Sequence, residues 1–352
     1  VKPVFITGVG LVSSHGEGRG VHAPLLAGGA APMLARAKDA PYDIHPTPEL
    51  PLDRFIPRRE MRQMEPWQRI GVHAAGIAIE EAGLKPQVAR MDVTVAAGGG
   101  ERDAALDAAI LAARPDSPGV HKMLLEGLRP TLFLAQLPNL LAGSISITHG
   151  VAGSSRTLMG EEVAGAEAAR VAARRVAAGT SPLALTGAAM TSDRPELLLL
   201  YGLGGHLHDG PWAPLPGRQG MVLGSVAAFL TLEPEGANPA PLARLTAIET
   251  SQGRPEGRVA RLGALLDRVG AEADMIISTA SGAAAATADE LAALPRAPDL
   301  FTADLFGHSA EAAFPAGLAM AAWAVAEGKA RRVLVTGCGQ WRGEAAAILE
   351  AV

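Results

Sequence analysis

Ile145–Gly187 reads ISITHGVAGSSRTLMGEEVAGAEAARVAARRVAAGTSPLALTG, and the fold follows from how this stretch divides. Arg156–Gly160 is a short strand, and a sharp turn follows it. Glu161–Ala178 is a helix in which Glu167, Arg170 and Arg174 recur at i, i+3 and i+7, which places a charged stripe along one face. The rest of that helix is Val and Ala, small enough for close packing, and Gly179 stops it. Leu183–Thr186 is then a buried strand. Two carboxylates, Glu161 and Glu162, stand in the first helical turn. Acidic residues suit that position whatever the fold, because the helix dipole favours them there.

The same residues carry a resemblance. Ile145-Ser146-Ile147 with Gly150 and Gly153 is similar to the ISI-x-x-G-x-x-G frame of the β-ketoacyl synthases of the thiolase superfamily. In that family the frame precedes a strand, and a nucleophilic cysteine at the mouth of the next helix. The frame puts Glu162 at the position of the cysteine. A helix mouth activates a thiol, whereas a carboxylate there forms no useful thioester. Gly160-Glu161-Glu162-Val163-Ala164-Gly165 resembles the A-E-Q-A-G-G stretch of chain-length factors, the nucleophile-free partners of type II polyketide ketosynthases.

Composition bounds the alternatives. With 352 residues and 48% hydrophobic content the chain can bury a large core in one or two domains. A formal charge of −5, without a basic run, argues against nucleic acid as a partner. One cysteine, Cys338, excludes an internal disulfide and suits a reducing cytoplasm. Residues 1–8 are too short for a signal peptide. Ala312–Ala326, broken by Pro315, is too short to span a bilayer, so no membrane is expected.

Along the chain, Val4–Thr7 reads as a buried strand running into a tight Gly8-Val9-Gly10 turn, and residues 28–60 as a surface excursion. Glu65–Gly83 is a helix, Met91–Ala97 a strand and Arg102–Ala113 an Ala-rich helix. More apolar helix lies between His121 and Ala142. Leu197–His208 is loop-like; His206-x-His208 offers two metal donors, with no third ligand nearby in sequence, so no metal is expected. Residues 216–233 resemble the family's R-D-G-F-V-x-G-E-G-A-G-x-L-V-L-E, with Gln219 and Ser225 in place of acids. Glu233–Pro241 reads as a linker, dividing the chain into halves of 1–235 and 240–352. The second half echoes the first, since Gly317–Gly337 repeats the helix–Gly–strand–Thr-Gly pattern of Gly165–Gly187. Strand–helix alternation of this kind predicts an α/β fold with a parallel, helix-covered sheet in each half. The resemblance implies a duplicated, five-layer αβαβα thiolase fold.

Condensing members of the family pair the cysteine with two histidines and a lysine. The resemblance places Ser281 at the first histidine, His308 at the second and Ala303 at the lysine, with Glu311 replacing a glycine. Only His308 survives, so decarboxylative condensation by this chain alone is not expected. Cys338, in Gly337-Cys338-Gly339, reads either as a small buried side chain or as a reactive thiol. The resemblance thus implies a chain-length-factor-like subunit with no intact catalytic set and no cofactor. Its partners would be an active β-ketoacyl synthase and, through it, acyl carrier protein. The alternatives are a malonyl-carrier decarboxylase or acyltransferase using His308 with Cys338 or Glu162, and a stand-alone acyl-binding protein. The family frame also puts the strand Arg156–Gly160 and the helix Val163–Ala178 at the subunit interface, and Ala104 and Ala108, on a wall running from Glu101 to Ala113, beside a substrate tunnel.

Overall fold

In the computed structural model, which describes residues 2–352 other than Asp39, Glu101 and Thr131, two runs of five strands repeat one pattern. Glu101, with which the expected tunnel wall begins, therefore lies outside the described residues. The first run is β1 (Val4–Ser13), β2 (Asp92–Ala96), β3 (Ser155–Leu158), β4 (Ala184–Met190) and β5 (Val226–Pro234). The second is β6 (Ala243–Ser251), β7 (Met275–Ser278), β8 (Leu300–Phe301), β9 (Arg332–Cys338) and β10 (Glu344–Glu350). Their spatial orders are β3-β2-β4-β5-β1 and β8-β7-β9-β10-β6, so every strand has a counterpart five places on. Residues Val4–Ile6 of β1 pair with Ala243–Leu245 of β6 and join the two halves into one hydrogen-bonded path.

The senses of the strands correct the expectation of parallel sheets. β3, β2 and β4 are parallel, but β5 runs against both β4 and β1. In the second half β8, β7 and β9 are parallel and β10 runs against β9 and β6. The reason is visible between β9 and β10, where residues 339–343 are the whole connection. A turn that short cannot carry a crossover helix, so the strands it joins must be antiparallel.

The helices are α1 (Pro66–Glu81), α2 (Ala104–Ala113), α3 (Ser117–Gly127), α4 (Leu140–His149), α5 (Glu161–Ala177), α6 (Pro195–Leu203), α7 (Arg258–Val269), α8 (Ala284–Ala293), α9 (Thr302–Phe306) and α10 (Ala313–Ala326). α5 packs on β2 and β4 of one half and on β6 of the other; α10 packs on β9 and on β5, and the two helices touch. They form a middle layer between the half-sheets, with α1 outside the first and α7 outside the second. That is the five-layer αβαβα arrangement. Alanine helps it close: every residue from Ala313 to Val325 is buried, and the alanines between Phe314, Leu318, Met320 and Trp323 let its neighbours approach on all sides. The helix expected at a subunit interface is therefore internal, and of the two expected interface elements only β3 lies at a sheet edge. The charged stripe is used inside the molecule. Glu167 binds Arg170 at 2.5 Å and accepts from Thr250 at 2.5 Å, and Arg174 reaches Glu249 on β6 at 3.1 Å.

Four local readings change. Gly8 and Gly10 do not end a strand; β1 continues through them to Ser13. A Cβ on Gly8 would lie 2.3 Å from the carbonyl oxygen of Ala78, and one on Gly10 1.8 Å from that of Ala74. These glycines let α1 lie directly on the strand. Leu197–His208 is not loop throughout, since α6 occupies Pro195–Leu203; apolar on all sides, it has no periodicity to read. Residues 28–60 are not wholly surface, as His45 and Ile56 are fully buried. The stretch read as a linker is the turn between β5 and β6, with Glu233 still buried in β5. Among the described residues no helix is long and apolar enough to cross a membrane.

Candidate functional site

The site begins where β3 turns into α5. Gly160 has φ 144°, and Glu161 has φ 59°, a left-handed conformation that a non-glycine residue holds at a cost of about 1 kcal/mol or more. This turn sends Glu162 inward. Its Oε1 accepts from the amide of Gln340 at 3.3 Å, and its own amide lies near enough to favour the charged carboxylate. His308 faces the same oxygen, with Nε2 at 3.4 Å and no hydrogen bond formed at either ring nitrogen. Burial raises the pKa of Glu162, against the pull of the two amides, and pushes His308 down to about 4. Both shifts favour the neutral form of each group. Two converging backbone N–H groups are what an acyl-transfer site would aim at an oxyanion. Here a carboxyl group fills that place.

Neither of the other two positions that the resemblance singled out hydrogen-bonds to this pair. Ser281 is buried and accepts the amide of Ala283 at 3.1 Å. Ala303 is buried in α9 and has nothing to donate. Beside it, Asp304 pairs with the buried Arg218 at 3.3 Å and accepts the amide of Leu215 at 3.0 Å, so the charges at this end of the site are tied to each other. His308 is held by its backbone, which accepts from Gly224 at 2.8 Å and donates to Val222 at 2.7 Å. Ser225 works as a structural hub: its hydroxyl accepts from Thr47 at 2.9 Å and from the amide of Ser192 at 2.9 Å.

Cys338 ends β9 and is 2% exposed. Burial, with the carboxylates of Glu290 and Glu344 nearby, pushes its pKa well up and keeps it a thiol, the poor nucleophile of the two forms. The void it shares with Glu162 is about 10 Å³, scarcely the room of one water. The turn that follows is pinned by Arg258. This guanidinium is 1% exposed, pairs with Asp289 at 2.7 Å and donates to the carbonyls of Gly339 at 3.2 Å and Gln340 at 3.0 Å. Arg258 thereby sets the position of the Gln340 amide.

Sequence reasoning missed the neighbours that complete the site. A cavity of about 150 Å³ opens next to Glu162, lined by Glu161, Glu311, Tyr201, Arg194 and Trp341 among others. Trp341 stacks on Tyr201 with centroids 5.5 Å apart, and His308 meets the edge of Tyr201. Glu311 had left a signal, since it stands where the family pattern has glycine; Gly98 makes room for it, because a Cβ there would lie 2.8 Å from Oε1 of Glu311. Burial first, then the nearby Glu162 and Glu161, push Glu311 up to about 7. A carboxyl raised in the folded state stabilises the fold fully below its ordinary pKa of 4.5 and loses that contribution as pH climbs through about 7. Glu311→Gln is therefore expected to gain about 3 kcal/mol on the natural protein between those limits. Urea unfolding of both at each end of the window checks this; a difference that does not change with pH contradicts it.

The two histidines, His206 and His208, are engaged within the chain. His206 contacts the Gln340 side chain at 3.2 Å, and His208 places its ring nitrogens on the carbonyls of Gln219 at 2.8 Å and Pro211 at 3.0 Å. Among the described residues no group of three or more His, Cys, Asp or Glu is placed to hold a metal ion. Ala104 and Ala108 border an apolar groove of about 630 Å³ between α2 and α6, together with Leu111, Leu199, Leu200 and Leu203. Leu200 also lines the acidic cavity, so the groove and the cavity are neighbours that share this side chain.

Comparison with known proteins bears on the family and the fold. The family model of the β-ketoacyl synthase N-terminal domain matches residues 53–237. Curated proteins give no match. Among solved structures, the ishigamide ketosynthase/chain length factor superposes with a TM-score of 0.83 at 20% identity, covering 100% of this chain and 99% of that one. A β-ketoacyl synthase from Burkholderia phymatum STM815 gives 0.81 at 17% identity, with 100% of both chains covered. AntDE:AntF, a type II polyketide acyl-carrier protein in complex with its ketosynthase, gives 0.76 at 17%, covering 100% and 99%. At these identities the likeness is one of fold.

Proposed function

The chain belongs to the β-ketoacyl synthase family, and we propose that within it the protein is a non-condensing subunit of the chain-length-factor kind. It would pair with an active synthase, reach acyl carrier protein through that complex, and help limit the length of the acyl chain. The observation that carries this reading is Glu162, whose carboxyl group sits between the Gln340 amide and His308 at the mouth of α5, where the family's nucleophile belongs. A carboxyl group there carries no acyl chain, and Ala303 and Ser281 supply neither cation nor imidazole.

Three features weigh against the other readings. A decarboxylase or acyltransferase must seat a malonyl carboxylate, and the cavity beside Glu162 already presents Glu161 and Glu311. The thiol of Cys338 is buried and held protonated. A stand-alone acyl-binding protein has no need of the exposed apolar side chains on α4 and after β3, where Ile147 is 78% and Met159 64% exposed.

The test is co-expression with an intact Cys-His-His synthase encoded nearby, followed by gel filtration, with a parallel assay of the isolated protein on malonyl-carrier protein. A stable heterodimer is expected, and the isolated protein should release no CO2 and show no acyl adduct by intact mass. Glu162→Cys alone should not restore condensation, because Ser281 and Ala303 remain. An acyl adduct on Cys338, or turnover by the isolated protein, would establish the decarboxylase or acyltransferase reading instead.

A further inference from the structure

We propose that the cavity beside Glu162 receives the far end of an acyl chain lying in the α2–α6 groove, and selects chains that end in an ammonium group. The inference rests on the chain-length role, which is what would bring an acyl chain to the groove. The groove is apolar and roomy, at about 630 Å³, and it shares Leu200 with the cavity, so a chain passing that side chain would enter it. The cavity it leads to is of opposite character. Tyr201 and Glu311, 4% and 7% exposed, both line it. Among the described residues none hydrogen-bonds to the Tyr201 hydroxyl, and the donor to the Glu311 carboxyl is its own amide. Glu161, held in its left-handed turn, lines the same space with Oε2 unpartnered.

The cation at hand is already engaged. Arg194 donates to Glu196 at 2.8 Å and to the carbonyls of Gly99 at 3.3 Å and Gly100 at 3.0 Å. The cavity therefore presents two carboxyl groups and a hydroxyl, with no hydrogen-bonded cation on any of them among the described residues; Arg194 and Arg342 act on them only at longer range. A methyl-ended chain would leave all three desolvated and unpaired, and a carboxylate-ended chain would be repelled. An ammonium group has three N–H donors, one for each of Glu311, Glu161 and Tyr201, and its charge opposes theirs. A lysine of a partner subunit has the same head group, and an arginine would bring a guanidinium of the same charge. The volume of the groove, far beyond what a single side-chain stem needs, favours the acyl chain.

The probes are an ω-aminoacyl N-acetylcysteamine thioester and its methyl-ended twin of equal length, titrated calorimetrically into the isolated full chain and again into the complex with the synthase. The amino-ended probe should bind about tenfold tighter or more, in keeping with charge-assisted hydrogen bonds in a buried site. That ratio should collapse towards one in Glu311→Gln and, at a partly exposed position, in Glu161→Gln; thermal melts establish that each variant is folded. Equal affinities, absence of binding, or a ratio preserved in both variants overturns the proposal. A preference seen in the isolated chain but abolished by the synthase also overturns it, and assigns the cavity to a basic side chain of the partner. The first titration involves no partner, so failure to form a heterodimer would count against the chain-length role while the ratio still judged the cavity.

Discussion

If the protein pairs with a synthase as proposed, Met159→Asp is expected to abolish that complex while leaving the protein itself folded, and Ile147→Asp to do the same. β3 pairs with β2 along one side only, and among the described residues its other edge is free. Met159 follows that edge at 64% exposure, and Ile147 stands at 78% on α4, which packs beside β3. A free sheet edge flanked by exposed apolar side chains is a surface that natural proteins cover. Burying each side chain against a partner contributes about 1.5–3 kcal/mol, and a buried unpaired carboxylate reverses the sign. The two effects together should weaken association by about a hundredfold or more. In the isolated protein both positions face solvent, where a substitution changes stability by about 0.5 kcal/mol at most. Gel filtration of co-expressed variants, with melting curves of each alone, separates loss of the interface from loss of the fold. Wild-type amounts of complex with both variants would place the synthase elsewhere. Neither residue borders the α2–α6 groove, so the result is independent of what the groove holds.

The parts of this molecule legible from sequence are those written in local periodicity. The turn–helix–strand unit around Glu162 and its echo at Gly317–Gly337 reveal both the repeat and the middle layer, because small side chains at helical spacing have few other uses. Strand sense was not legible, since it depends on how the chain returns after β4 and β9 rather than on any strand's own residues. Gly8 and Gly10 misled for a related reason. Glycine marks a turn when only the local chain is considered, and the helix that demands their missing side chains arrives some sixty residues later. The site was half legible. The family frame pointed to Glu162 and His308, and the structure brings them together. Tyr201, Glu311, Arg194 and Trp341 converge from α6, the approach to α10 and the β9–β10 turn, and no spacing in the sequence encodes that meeting. Arg258 is a plainer case: a charged residue at the start of an amphipathic helix reads as solvated, yet its guanidinium is buried on the carbonyls of the Gln340 turn.

Under the proposed chain-length role, Ala108→Phe and Ala104→Phe are expected to shorten the product of the heterodimer without dissociating it. Had α2 been packed into its own core, a phenylalanine would overpack it at about 1–3 kcal/mol and the protein would lose stability. The structure argues otherwise. α2 has no buried residue, Ala108 is exposed, Ala104 is half-buried, and both border the groove opposite Leu199 and Leu203. The new ring then occupies groove volume rather than core volume. Asp103, whose carboxylate caps the helix by accepting the Leu106 amide at 3.2 Å, is untouched by either change. A growing chain that reaches the ring can advance only by displacing it or α2, so elongation should stop earlier, and the earlier the nearer the ring stands to the chain's point of origin. Product lengths measured by mass spectrometry for the two variants therefore order the groove as well as test it. If both heterodimers are intact and both make the unaltered product, α2 is not part of the wall. If only Ala104→Phe shortens the product, the chain passes the helix at its first turn, on the side of Asp103, and never reaches the turn that carries Ala108.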